Sequence, residues 1–114
     1  ELPKGVETFE LRGALFFGAA SRLNDALEAA FPPPKVFILR FDAVPMVDAS
    51  GVGALSRFLK RCASHETMVL ISELNIGARG VLDQMGVLAI SCVADVSTYS
   101  EAIARAEAIV EQKS

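Results

Sequence analysis

Apolar positions along the chain follow two spacings, one typical of strands and one typical of helices. Lys35–Arg40 and Thr67–Ser72 are apolar at nearly every inner position, as in strands buried on both faces of a sheet. Val6–Leu11 mixes apolar and polar residues, which indicates a half-buried edge strand. Val87–Val93 predicts the last strand.

A break after the first strand predicts a hairpin. Arg12-Gly13 interrupts the strand pattern, and Ala14–Phe17 is a short apolar run that could form a second strand. An antiparallel hairpin at the start would make the sheet mixed.

Residues at helical spacing predict four helices, over Gly18–Ala30, Ser50–Ser64, 76–85 and from Thr98 to about Gln112. Their buried stripes are expected to be Ala20, Leu23, Leu27 and Ala30; Val52, Leu55, Leu59 and Cys62; Val81, Leu82 and Met85; and Ala102, Ala106, Ile109 and Val110.

Helix boundaries are marked by residues with known end preferences. Pro32, Pro33 and Pro34 cannot continue the first helix, because proline lacks the backbone N–H donor. Gly86 is a typical C-terminal stop for the third helix. Thr98 and Glu101 have the spacing of a capping box at the start of the fourth.

The predicted order is β-β-α-β-α-β-α-β-α, which indicates a single α/β domain with a mixed central sheet and about four interspersed helices. A length of 114 residues fits one domain, and 52% apolar residues suffice for a core. The longest run free of charged residues, Gln84–Ala94, has 11 residues, too few to span a membrane. A net charge of −3 argues against nucleic acid as a partner.

Enzyme and metal signatures fail on spacing. Cys62 and Cys92, with one histidine, cannot form a zinc site, so reduced and buried thiols are expected and no cofactor is predicted. Gly51-Val-Gly53 lacks the third glycine of a dinucleotide fingerprint. His65 lies 15 residues after Ser50 on one helix, about 22 Å away, which is too far for a nucleophile and its base.

The turn from Asp48 to Gly53, before the second helix, is the candidate site. Asp48 or Ser50 can cap this helix, and Gly51 and Gly53 allow another surface to approach closely. Ser50 could also carry a phosphate, which the helix N-terminus would stabilise and Asp48 would oppose. From these residues alone, a structural cap, a docking surface and a charge switch all stay open.

Asp48-Ala-Ser-Gly-Val-Gly53, after a buried strand, resembles the signature loop of STAS domains, which are named for sulfate transporters and anti-sigma factor antagonists. In the antagonists the loop typically has two serines before the glycine, and the second is phosphorylated. Ser50 matches that serine, whereas Ala49 departs from the one before it. The resemblance covers nearly the whole chain and implies a mixed sheet with four helices.

Three further segments resemble the C-terminal domains of SulP-type anion transporters. They are Leu11–Ala20, Val44–Gly51 and Gly77–Gly86, the last ending in Leu-Asp-Gln-Met-Gly. The start of the chain at Glu1 rather than Met fits a domain, 1–114, cut from a longer membrane transporter. The transporter branch is therefore favoured over the antagonist branch.

The resemblance implies a non-catalytic regulatory and interaction module on the cytoplasmic face of the inner membrane. Its expected partners are the transmembrane part of a sulfate, bicarbonate or dicarboxylate transporter, a second copy, and a cytosolic regulator or kinase. Ser50 would be the switch, Asp48, Ala49, Gly51 and Gly53 the interaction loop, and Arg57 and Lys60 an extension of its surface. The alternatives are a freestanding antagonist switched at Ser50, and a domain that binds an anion or nucleotide at the helix N-terminus.

Overall fold

Four strands joined by helices make up the fold in the computed structural model, which describes residues 2–13, 17–29 and 33–113. The elements are β1 (Val6–Arg12), α1 (Phe17–Ala29), β2 (Val36–Ala43), α2 (Ala49–Ser64), β3 (Met68–Ser72), α3 (Ile76–Gln84), a 3-10 turn (Val87–Ala89), β4 (Val93–Val96) and α4 (Tyr99–Lys113). The sheet order is β1-β2-β3-β4.

Each neighbouring pair of strands runs parallel, so a crossover connection separates every pair. The α/β class and the four helices are confirmed. In the described part of the chain the sheet is parallel throughout, which corrects the expected mixed sheet. The predicted hairpin strand Ala14–Phe17 lies mostly outside the described residues, and its last residue, Phe17, begins α1.

β2 is buried on both faces, as its continuous apolar run predicts. Side chains alternate along a strand, so Phe37 and Leu39 join the larger core cluster while Val36 and Ile38 join the smaller one. Phe37 packs edge-to-face on Phe58 of α2, with ring centroids 5.6 Å apart.

Helices α1, α2 and α3 cover the larger cluster, and among the described elements α4 is the one helix that covers the smaller cluster. The predicted stripe of α2 is confirmed, since Val52, Leu55, Leu59 and Cys62 are all buried. On α4, Ala102 and Ala106 are fully buried against the sheet. Ile109 and Val110 are half-buried beside them.

The last strand is shorter than predicted, and the expected strand Val87–Val93 is wrong. Gly86 turns the chain at φ +79°, and Val87–Ala89 forms the 3-10 turn, with Val87 buried in the larger cluster. A turn that packs into the core needs apolar residues, and this explains why the sequence of the segment resembles that of a strand. Hydrogen bonding between β3 and β4 begins later in the chain, where Val69 donates its N–H to the Cys92 carbonyl at 2.8 Å.

The C-terminus of α3 and the N-terminus of α4 lie where the sequence predicts them, and one residue, Met85, differs from its predicted burial. Gly86 follows the end of α3 in the left-handed conformation, as predicted. Met85, expected to face inward, is 50% exposed, because it is the C-cap and the buried face is carried by Ala78 and Leu82. At α4, the Glu101 N–H donates to Thr98 Oγ1 at 3.1 Å, which confirms Thr98 as a cap.

No helix in the described ranges is long and apolar enough to cross a bilayer.

Candidate functional site

The candidate site lies at the carboxyl end of the parallel sheet, between β2 and α2. Val44 and Val47 are buried and anchor this loop to the core, whereas Pro45 and Met46 are exposed between them. Open α/β sheets commonly bind their ligands at this end of the strands.

Asp48 is the N-cap of α2. Its backbone is extended, at φ −115° and ψ 173°, and its Oδ1 accepts the Gly51 N–H at 2.7 Å. The bond satisfies one of the helix's orphan donors, and the carboxylate charge is favoured at the positive end of the helix. The structural role predicted for this residue is therefore present.

Ser50 is exposed in the first turn of α2, and its hydroxyl donates to the same Asp48 Oδ1 at 3.1 Å. Ala49 beside it is exposed, whereas Gly51 is buried beneath the turn. A group added at Ser50 Oγ would thus replace a donor to Asp48 with a substituent next to its carboxylate. The cap and the candidate switch share one oxygen atom.

Gly53 and Arg57 continue the surface along α2. A Cβ built at Gly53 would lie 3.9 Å from Arg57 Nη1, an ordinary van der Waals contact. Packing within the described chain therefore does not require glycine at this position. Arg57 and Lys60 are both exposed.

Arg61 lies one turn after Arg57 on α2 and is also exposed. It contacts α1 through Glu28 Oε2 at 3.0 Å and Asn24 Oδ1 at 3.4 Å. The C-terminal half of α2 is therefore tied to α1 through Arg61, away from the turn that begins at Asp48.

Asn75 organises the site from the loop between β3 and α3, and it is not among the site residues predicted from the sequence. Its Oδ1 accepts the Ala78 N–H at 2.7 Å and caps α3, while its Nδ2 donates to the carbonyls of Val44 at 3.1 Å and Pro45 at 3.4 Å. An Asn directly before a helix is a recognisable cap signal. Its bonds to a loop 30 residues away have no local signature.

The remaining chemistry-bearing residues lie apart from this turn. His65 is the exposed C-cap of α2. Asp42 Oδ2 pairs with Arg40 Nη2 at 3.6 Å. Within the described ranges, no three His, Cys, Asp or Glu side chains come together as a metal site.

Both cysteines are free and buried, as predicted. Burial raises the pKa of Cys62 from 9.0 to about 12, and the neighbouring Cys92 adds to the rise. The pKa of Cys92 is also raised by burial. The Cys92 thiol donates to the Leu59 carbonyl at 3.5 Å. These thiols are protonated at neutral pH and behave as small apolar groups.

The family model of the STAS domain matches residues 1–102. The chain belongs to the STAS domain family. No curated protein matches this STAS domain in sequence. Its fold is similar to the crystal structure of a sulfate transporter family protein from Wolinella succinogenes, at 36% identity and a TM-score of 0.86. That match covers 97% of this chain and 92% of the other.

Two further solved structures share the fold at lower identity. The SulP transporter STAS domain from Vibrio cholerae aligns at 24% identity and a TM-score of 0.84, over 98% of this chain and 88% of that one. The murine Solute Carrier 26 family member A9 anion transporter aligns at 16% identity and a TM-score of 0.78, over 95% of this chain but 18% of the transporter.

Proposed function

We propose that this STAS domain, taken as residues 1–114, is a non-catalytic regulatory and interaction module of a SulP-type transporter of sulfate, bicarbonate, a dicarboxylate or a related anion. The observation that carries the proposal is the 36% identity with the sulfate transporter family protein, which extends over 97% of the chain. The partner is the transmembrane part of the same transporter, and the domain lies on the cytoplasmic face of the inner membrane.

Ser50 is the proposed switch, because its exposed hydroxyl and the α2 cap use the same carboxylate oxygen. A phosphate at Ser50 would bring a charge of about −1.5 to −2 beside Asp48. Repulsion would compete with the bond from Gly51 to Asp48 and change the first turn of α2. The surface offered to a partner would change with it.

The first test is the coding sequence upstream of Glu1. Several hundred codons that encode apolar runs of about 20 residues would support a transporter. A start codon directly before Glu1 would contradict it and favour a freestanding antagonist, whose kinase would then phosphorylate the exposed Ser50 hydroxyl when supplied with ATP.

The second test compares Ser50→Asp with Ser50→Asn and Ser50→Ala in the full-length transporter. Aspartate adds a charge beside Asp48, whereas asparagine has nearly the same size without it. We expect Ser50→Asp to lower uptake of labelled anion into proteoliposomes several-fold, and the other two variants to stay within about twofold of wild type. Equal uptake by all three would leave the turn as a helix cap alone.

A further inference from the structure

Two large apolar side chains project into solvent at the carboxyl end of the sheet. Met46, in the loop after β2, is 54% exposed, and Ile76, the first residue of α3, is 90% exposed. β2 and β3 are neighbours and parallel, so the segments that follow them emerge side by side. At 90% exposure, Ile76 contributes almost nothing to the core.

Asn75 holds these two segments together. Its Nδ2 donates to the Pro45 carbonyl, directly before Met46, and its Oδ1 fixes the first turn of α3, directly after Ile76. Single exposed apolar residues are common on protein surfaces. Here the two residues lie on adjoining loops that one side chain links, and the pair is named the Met46–Ile76 patch.

The surroundings of the patch are acidic. The arginines near this end are each paired with a carboxylate: Arg79 with Asp95, Arg40 with Asp42 and Arg12 with Glu10. Two further carboxylates lie at this end of the molecule, Asp48 and Glu73, which cap the first turns of α2 and α4. The nearest cation on α2, Arg57, lies two turns beyond Ser50.

We propose that the Met46–Ile76 patch binds a basic, apolar protein segment: its apolar side chains cover Met46 and Ile76, and its Lys or Arg residues face the carboxylates. This inference rests on the proposed function, since the cytoplasmic loops of membrane proteins are enriched in Lys and Arg. A docking site of this chemistry would seat the domain on such a loop. Anionic lipid is disfavoured, because the acidic face repels it.

Titration of the ¹⁵N-labelled domain with a synthetic 12-residue peptide of alternating Leu and Lys tests the surface. We expect amide shift changes concentrated at Met46 and Ile76, and a loss of affinity of about tenfold or more in Ile76→Ser. Met85→Ser is the matched control, because Met85 is 50% exposed at the opposite end of α3. Its affinity should stay within about twofold of wild type.

Asn75→Ser tests the positioning role. Serine still caps α3 but cannot reach the Val44 and Pro45 carbonyls, so peptide affinity should fall although Ile76 is intact. Unchanged affinity in this variant would overturn the role of Asn75.

Three results would overturn the patch itself: equal loss in Ile76→Ser and Met85→Ser, equal binding of a Leu-Glu peptide, or Ile76-dependent binding to phosphatidylglycerol vesicles. None of them bears on the proposed function, which the upstream coding sequence decides separately.

Discussion

At the scale of single residues, the Asp48 carboxylate performs two tasks with one oxygen. It accepts the Gly51 N–H that begins α2 and the hydroxyl of Ser50. A change at Ser50 therefore alters the hydrogen bond from the Gly51 N–H to Asp48, which begins the helix. The arrangement couples a surface residue to the stability of the helix.

Replacing Asp48 by Ala should lower the free energy of unfolding by about 1 kcal/mol, because the Gly51 N–H loses its acceptor. Urea denaturation measures this change. Asp48→Asn keeps an acceptor oxygen at the same position and should lose less than half as much. Equal stability of Asp48→Ala and wild type would mean that the cap contributes nothing.

Hydrogen bonds between residues close in the sequence were predictable, whereas bonds between distant parts of the chain were not. Asp48 was one of the two residues predicted to cap α2, since the signal for a cap lies within the three residues that follow it. The bonds from Asn75 to Val44 and Pro45 depend on the adjacency of β2 and β3. The sequence contains no periodicity that shows which loops become neighbours.

At the scale of elements, α4 is the one helix of the described part of the chain that covers the second face of the sheet. It approaches closely because Ala102 and Ala106, at its contact positions, are small. The first turn is fixed by Thr98, and by Glu73 Oε2, which accepts the Tyr99 N–H at 3.0 Å. The ring of Tyr99 packs against the guanidinium of Arg40, 4.1 Å from its centroid.

Leucine at position 106 should push α4 away from the sheet. Ala106→Leu is expected to cost about 1–3 kcal/mol of unfolding free energy through overpacking. Ala104→Leu places the same side chain on the exposed face of α4 and should change stability by less than about 0.5 kcal/mol. Thermal and urea unfolding of the pair measure the difference. Equal effects would show that α4 does not pack tightly at Ala106.

Helices whose apolar residues repeat at a clear helical spacing were predicted well, whereas the secondary structure of short apolar runs was not. α2 was placed to within one residue at its start, because four buried positions repeat at helical spacing. The run 87–93 has no period that separates a buried 3-10 turn from a strand. Its correct division depends on Gly86 and on where pairing with β3 begins.

At the scale of the whole molecule, the core includes two thiols whose pKa values are raised by burial. Unfolding exposes Cys62 and returns its pKa from about 12 toward 9.0. Above pH 9 the unfolded chain has released a proton that the folded protein retains. The contribution to stability is thus complete below pH 9 and declines as the pH approaches 12.

Through Cys62, stability should fall between pH 9 and pH 12 by up to about 1.4 kcal/mol per pH unit. Cys62→Ala removes this thiol, so its unfolding free energy should decline less steeply than that of wild type across this range. Urea denaturation at a series of pH values compares the slopes, and the difference cancels the titration of other groups. Parallel slopes would contradict the raised pKa.

The arrangement of helices also orders events during synthesis. Strands and helices that cover the larger cluster leave the ribosome first, and each new strand pairs with the edge of the one before it. The opposite face, with Val36, Ile38 and Leu70, stays bare until α4 is made. A nascent chain stalled before Tyr99 would therefore expose an apolar sheet surface to which chaperones bind. Synthesis of α4 and its packing on the sheet would cover that surface.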